Sequence, residues 1–419
     1  MAEAAHFSST QAPSAESTEV VIVGGGMVGL TLGCALASGG VEVAVIDRVD
    51  PAELTGQAFD GRVSAIAFAS MRALDTIGVW PKLLEPGDQN QPIHAIRVSD
   101  GESLLFLHYD QRELGDDPLG YIVENRHMRT ALFALARQMP KLKLFAPNGL
   151  VWLDRTGSGV VAELVDGTRL TARLAVAADG RNSALRRAAG IRTIGWSYPQ
   201  TGIVCTVAHE LPHRGIAHER FLPAGPFAIL PMCGGRSSLV WTEREDMAPA
   251  ILALDENGFS DELADRFGEF LGRVTVVGPR WHYPLSLLHA DRYTDERLVL
   301  VGDAAHAIHP IAGQGLNLGL RDVGALAEVL IDARRLGLDL GDANTLVRYQ
   351  RWRRFDNMLM MAVTDGLNRL FSNELAPLRL ARNLGLAAVN RLPPLKRLFM
   401  RHAMGLVGEL PRLCRGEAL

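Results

Sequence analysis

The sequence predicts an α/β protein in which a layer of parallel strands is interrupted by a second, inserted sheet and followed by helices. Three observations predict it, each a glycine-centred turn after an apolar run. Gly24-Gly25-Gly26-Met27-Val28-Gly29 follows Val20 to Val23, and Ala178-Asp179-Gly180-Arg181 follows a second such run. Gly302-Asp303-Ala304-Ala305-His306 follows a third and leads through His309-Pro310 to Gly313-Gln314-Gly315-Leu316-Asn317. The chain has 419 residues, enough for two or three packed units.

In chain order, residues 1–18 are rich in Ala, Ser and Thr with no Arg or Lys. They lack the apolar core of a signal peptide and the arginines of a transit peptide, so a disordered tail is expected. Residues 19–47 read as strand, tight glycine turn, helix and strand, the second strand ending on Asp47. Residues 62–78 read as a helix, with Ile66, Met71, Leu74 and Ile77 at roughly helical spacing. Strands are expected over 91–109 around Ser99-Asp100-Gly101, a helix over 125–138, and further strands up to Leu174–Ala177. Residues 196–284 change character, with short β-prone runs broken by a helical stretch near 258–271. The parallel-strand pattern returns at Leu298 to Val301, a helix runs from Gly315 to about Arg335, and residues 343–410 read as mostly helical. The expected division is a nucleotide-binding domain from 19–90, 118–195 and 285–342, a substrate domain from 91–117 and 196–284, and a helical region over 343–419.

Composition excludes several classes. Apolar residues make up 47% and charged residues 21%, as in soluble globular enzymes. A net charge of −4 gives no general attraction to nucleic acid. Cys34, Cys205, Cys233 and Cys414 are scattered without C-x-x-C spacing, which argues against a disulfide framework or zinc site and suits a reducing, cytoplasmic compartment. Arg outnumbers Lys 39 to 4, which reads as a GC-rich genome. No apolar run is long enough to span a membrane.

The motifs define a chemistry. In Gly24-x-Gly26-x-x-Gly29 the first glycine permits the turn, the second admits a pyrophosphate, and the third lets helix pack on strand. The helix beginning at Met27 offers free N–H groups and a positive dipole end to phosphates. Asp47, followed by Arg48, stands where a carboxylate accepts from ribose hydroxyls and would repel a 2′-phosphate. Asp303 can hold a ribityl or ribose hydroxyl, and the N-terminus of the helix after Gly313 and Gly315 can face the pyrimidine edge of a flavin, where reduction places negative charge. The three motifs together point to FAD. His306 and His309 have ligand spacing but no third partner besides Asp303, and Pro310 breaks the helix, so no metal is expected. Arg62 and Arg126 are each expected at a helix start, as solvated arginines or as donors to flavin or phosphate oxygens; the residues alone leave both open. No Ser-His-Asp, Walker A or acid–base pair emerges, so the hard chemistry falls to the cofactor and no catalytic side chain is named.

At these residues the chain resembles the group A flavoprotein aromatic hydroxylases, and within them the ubiquinone-biosynthesis hydroxylase family. The resemblance covers roughly residues 19–375. It runs through Asp60-x-Arg62, Glu124-Asn125-Arg126, Ala178-Asp179-Gly180-x-x-Ser183, Phe221-x-Pro223-x-Gly225-Pro226 and Tyr283-Pro284-Leu285. Its most specific piece is Gly302-Asp303-Ala304-Ala305-His306-x-x-His309-Pro310-x-x-Gly313-Gln314-Gly315-x-Asn317, and Tyr349-Gln350-x-x-Arg353 extends it. The resemblance implies a Rossmann-like FAD-binding domain and one FAD contacted by Arg62, Arg126 and Asp303, with Gly302, Pro310, Gly313, Gly315 and Asn317 around the flavin. It implies that Asp179 serves both FAD and the reaction with NADH or NADPH. The implied reaction is aromatic hydroxylation with NAD(P)H and O2 through a flavin C4a-hydroperoxide, on a polyprenylated phenol held against the inserted sheet. The W-x-W-x-I-P signature of flavin-dependent halogenases is missing. Residues 377–419 hold eight Arg or Lys and two Glu among Leu, Phe and Met, so contact with the bacterial inner membrane or a partner complex is expected there.

Overall fold

The computed structural model describes residues 15–55, 59–84, 90–101, 103, 105–373 and 376–419. Its central layer is a six-stranded sheet in the order Thr294–Asp295, Leu298–Leu300, Leu174–Ala177, Val20–Val23, Val43–Ile46, Leu142–Phe145. All neighbours but the first pair run parallel. These strands are near-continuous aliphatic runs because both faces are covered: Val20, Ile22, Val45, Leu174, Val176 and Leu300 are all buried. Helices Met27–Ser38, Asn125–Ala136 and Gln314–Arg335 supply that cover.

An eight-stranded sheet stands apart from this layer. Its order is His306–Ala307, Val274–Ala290, Thr193–His209, Arg236–Arg244, Gly225–Met232, Ile216–Leu222, Ala95–Asp100, Phe106–Asp110. Its backbone is the antiparallel pair of 17-residue strands Thr193–His209 and Val274–Ala290. Helix Glu256–Phe267 packs on one face through Phe259, Leu263 and Phe267, against Trp241 and Phe227. The other face looks toward helices Ala343–Phe371, Ala376–Arg391 and Pro393–Ala403. A three-stranded sheet (Val63–Ala67, Gly120–Glu124, Asn90–Ile93) and a four-stranded one (Ala15–Ser17, Arg169–Ala172, Gly159–Leu164, Leu150–Thr156) complete the fold.

Three expectations are corrected. Residues 62–78 are not one helix: Val63–Ala67 is a strand and only Phe68–Thr76 is helical, because backbone pairing with Gly120–Glu124 overrides the helical spacing. Arg62 therefore precedes a strand, whereas Arg126 does begin a helix. Ala15–Ser17 of the expected tail pairs in parallel with Arg169–Thr171; residues 1–14 lie outside the described residues. The boundary expected after residue 284 falls inside a strand, since Val274–Ala290 runs on to pair with His306–Ala307. The sheet thus reaches directly to the Gly302–His306 turn.

Candidate active site

At the first glycine loop, Gly24 has φ +108°, and a Cβ there would lie 2.3 Å from the Ala178 carbonyl oxygen. This loop and the Asp179 turn are therefore pressed together. A Cβ on Gly29 would lie 1.9 Å from the Gly24 oxygen, whereas one on Gly26 would meet nothing within 4 Å. The crowding at Gly24 and Gly29 is internal; the open side at Gly26 is where a phosphate fits. Gly26 caps helix Met27–Ser38 without a side-chain hydrogen bond, so the first-turn N–H groups stay available. Asp47 Oδ2 accepts from Gly25 N at 2.5 Å and Oδ1 from Val49 N at 2.8 Å. The carboxylate that would meet a ribose thus also holds the glycine loop in shape, with Arg48 exposed beside it.

At the second motif, Asp179 Oδ2 accepts from Ala184 N at 2.8 Å and Leu185 N at 3.3 Å, while its Oδ1 is buried without a partner. Arg181 donates to the Ser286 carbonyl at 2.6 Å and its buried Nε is also unpartnered. A buried acceptor and a buried donor left over on one turn match a polar ligand.

The third motif forms the turn Gly302–Ala304 at the end of the central sheet. Asp322, on helix Gln314–Arg335, holds it from within. Asp322 Oδ2 accepts from Gly302 N at 3.1 Å and pairs with His306 Nε2 at 2.5 Å; Oδ1 accepts from Arg353 Nε at 2.9 Å and Asn357 Nδ2 at 3.3 Å. Burial alone would raise the Asp322 carboxyl, but His306 and Arg353 outweigh it and hold it well below the usual range. His306 is thus a structural partner. His309 is wholly buried with neither ring nitrogen bonded, and burial pushes it down to about 4. Its ring meets Tyr198 edge-on at 5.2 Å.

Asp303 opens onto a cavity that Pro310, Gly313, Gln314, Gly315 and Leu316 also line. Surrounding protein pushes its carboxyl up, moderated by His306 and Arg181. Gly313 adopts φ +62° and caps helix Gln314–Arg335 without a side chain. A Cβ on Gly315 would meet nothing within 4 Å, so this helix N-terminus is open as well. Asn317 is spent locally: its Oδ1 accepts from Ala67 N at 2.9 Å, and its Nδ2 donates to the Ala65 carbonyl at 2.9 Å and the Gly313 carbonyl at 3.1 Å. It clamps strand Val63–Ala67 to the loop.

Arg62 and Arg126 lie at one end of the pair Val63–Ala67 and Gly120–Glu124. Arg62 donates to Asp60 at 2.9 Å and lies over the Trp281 ring; Arg126 donates to Glu124 at 2.7 Å and lies over Phe59. Both guanidiniums are paired, and neither is in the cavity wall.

The cavity measures about 1200 Å³. It runs from the open end of helix Gln314–Arg335, between the eight-stranded sheet and the C-terminal helices. Ile96, Leu107, Leu230, Leu367, Phe371 and Val389 make its walls mostly apolar. One carboxylate on the sheet wall, Glu219, escaped the sequence reading, as did Asp322. Asp322 does leave a signal, a lone acid among Leu318, Leu320, Val323 and Ala325 on a buried helix. Glu219 leaves none, because its neighbours His218 and Arg220 make the strand read as surface.

Two uncapped helix ends, an open glycine, and the Asp179 turn fit FAD. The chain matches the FAD binding domain family over residues 17–354. It is 57% identical over 406 residues to the ubiquinone hydroxylase UbiL of Rhodospirillum rubrum, covering 96% of this chain and 93% of that one. It is 38% identical to the 3-demethoxyubiquinol 3-hydroxylase of Escherichia coli, with 93% and 99% covered. The mitochondrial ubiquinone biosynthesis monooxygenase COQ6 of Xenopus tropicalis is 33% identical, with 92% and 93% covered. The fold is that of p-nitrophenol 4-monooxygenase PnpA from Pseudomonas putida, at a TM-score of 0.79 and 22% identity over 94% of this chain and 99% of that one. The chain belongs to the FAD-dependent ubiquinone-biosynthesis hydroxylase family. It is a FAD-dependent monooxygenase that takes NAD(P)H and O2.

Proposed function

We propose that this enzyme hydroxylates the aromatic ring of a polyprenylated phenol on the route to ubiquinone. The observation that carries the reading is the cavity: its flavin end is polar, and the remainder is an apolar space large enough for a ring with isoprene units. FAD, when bound, supplies the passage of electrons from NAD(P)H to O2 and of one oxygen atom to the ring. Gly24, Gly26, Met27, Gly29, Asp47 and Arg48 hold its adenosine and pyrophosphate. Asp179, Gly302 and Asp303 serve its ribityl chain, and Pro310, Gly313, Gly315 and Asn317 frame the ring. Arg62 and Arg126 reach it by exchanging Asp60 and Glu124 for ligand oxygens. The eight-stranded sheet excludes water and orients the substrate.

The cavity mouth is ringed by Phe355, Leu359, Val363, Leu370 and Phe399, all exposed. Arg379, Arg391, Arg397 and Arg401 flank these helices. This combination favours docking on an anionic membrane, from which a prenyl chain enters directly. No described helix is long and apolar enough to cross a membrane.

The test uses purified holoenzyme with NADH or NADPH, 18O2 and 2-farnesylphenol, followed by mass spectrometry. One labelled oxygen in the organic product is expected. Oxidised but unlabelled product would assign an oxidase instead.

A further inference from the structure

We propose that Glu219 receives the phenol hydroxyl of the substrate and accepts its proton. This rests on the phenol reading above. Strand Ile216–Leu222 presents Ala217, Glu219 and Phe221 to the cavity. The residues paired across from Glu219 are Val98 and Ala228, and Val240 stands beyond Ala228; all three line the same wall. Glu219 is therefore a carboxyl set in an aliphatic surface. Among the described residues its side chain has no hydrogen-bond or ion-pair partner, and burial alone pushes it up to about 8.

The neighbouring charges are turned elsewhere. On its own strand, Arg220 donates to the Arg266 and Phe267 carbonyls, and the His218 ring lies against Phe270. On the adjacent strand, Arg97 lies over Phe106 and Asp100 is held by Arg382. On the facing helices, Arg321 donates to the Gly405 and Val407 carbonyls, and Asp356 pairs with Arg353. Arg181 and Asp303 are at the flavin wall, with Tyr109, His218, Tyr283 and His402 elsewhere in the lining.

A carboxyl left unpaired in an apolar wall costs stability. A position that weakens the fold is accounted for when a ligand completes it. The aliphatic residues around Glu219, Val98, Ala228 and Val240, can grip a prenyl chain but cannot orient a hydroxyl. A carboxylate whose affinity for protons is raised toward that of a phenol, about 10 in tyrosine, shares the proton far better than an ordinary one. The step is a proton transfer only: the substrate O–H bond breaks, an O–H bond to Glu219 forms, and the electron pair stays on the ring oxygen. The ring is then richer in electrons and more readily hydroxylated.

The experiment compares wild type, Glu219→Gln and Glu219→Leu in the labelled-oxygen assay with 2-farnesylphenol from pH 6 to 10, alongside flavin content and thermal midpoint. The wild-type rate should rise with pH through about 8, as the carboxylate forms. Glu219→Gln should lose that inflection and on the order of a hundredfold or more in labelled product, with flavin content unchanged. Glu219→Leu should melt no lower than wild type. Glu219→Gln turning over within about threefold of wild type, with the same inflection, would overturn the proposal. So would a lowered midpoint or lost FAD in both variants, which is what a structural role predicts. If wild type holds FAD yet hydroxylates no prenylphenol, the parent reading fails first, and this one with it.

Discussion

Asp322 sits on a buried helix with both oxygens engaged, by Gly302 N and His306 on one side and Arg353 and Asn357 on the other. Asp322→Ala would strand a buried arginine and histidine, a loss of about 3–5 kcal/mol, readable as a lower denaturation midpoint with weakened FAD retention. The acid limb follows from the sign of its shift. The folded carboxyl is held below its unfolded value, so the pairing stabilises the fold above about pH 4 and is lost as pH falls toward 2. Acid unfolding should therefore begin at higher pH in Asp322→Asn than in wild type, followed by circular dichroism. Gly26→Asp tests the other end of the site. The added side chain has room, so the protein should fold, but a carboxylate at the pyrophosphate should weaken FAD by about a hundredfold, or ~2.7 kcal/mol, measured by flavin fluorescence. The glycines were legible in the sequence because their constraint is local: a turn and a strand–helix junction lie within six residues. Glu219 and Asp322 were not, because their meaning comes from residues far away in the chain.

Among elements, helix Gln314–Arg335 could be read from its long apolar pattern and glycine start, whereas the strand Val63–Ala67 could not. Ile66, Met71, Leu74 and Ile77 suit a helix, and only Gly120–Glu124 as a pairing partner makes the first half a strand. The paired strands of residues 193–209 and 274–290 were seen as fragments, since much of the second is exposed and lacks a hydrophobic period. The C-terminal helices could be read as helices, but which face they bury could not. Phe355, at 71% exposure, and Phe399 ring the cavity mouth on two different helices. Phe355→Glu with Phe399→Glu should reduce co-sedimentation with phosphatidylglycerol vesicles severalfold while leaving FAD content unchanged. Equal sedimentation of variant and wild type would remove membrane docking from the functional reading.

At the scale of the molecule, the FAD site proposed here joins parts that are distant in sequence: the first glycine loop, the Asp179 turn and the Gly302–Asn317 segment. A ligand that binds only the folded state adds RT ln(1 + [L]/Kd), about 2.7 kcal/mol at a hundredfold excess over Kd. Stripping FAD should thus lower the thermal midpoint of the whole chain, and adding it back should restore the midpoint, followed by differential scanning calorimetry. The cavity is equally non-local. Arg382 binds Asp100, Lys396 binds Glu113, and Met404 accepts from Ala69 N. The far wall of the cavity is made by helices Ala376–Arg391 and Pro393–Ala403, through Arg382, Leu386, Val389 and Phe399. Loss of these two helices would therefore leave the flavin-facing cavity open to water even though every glycine turn remained in place.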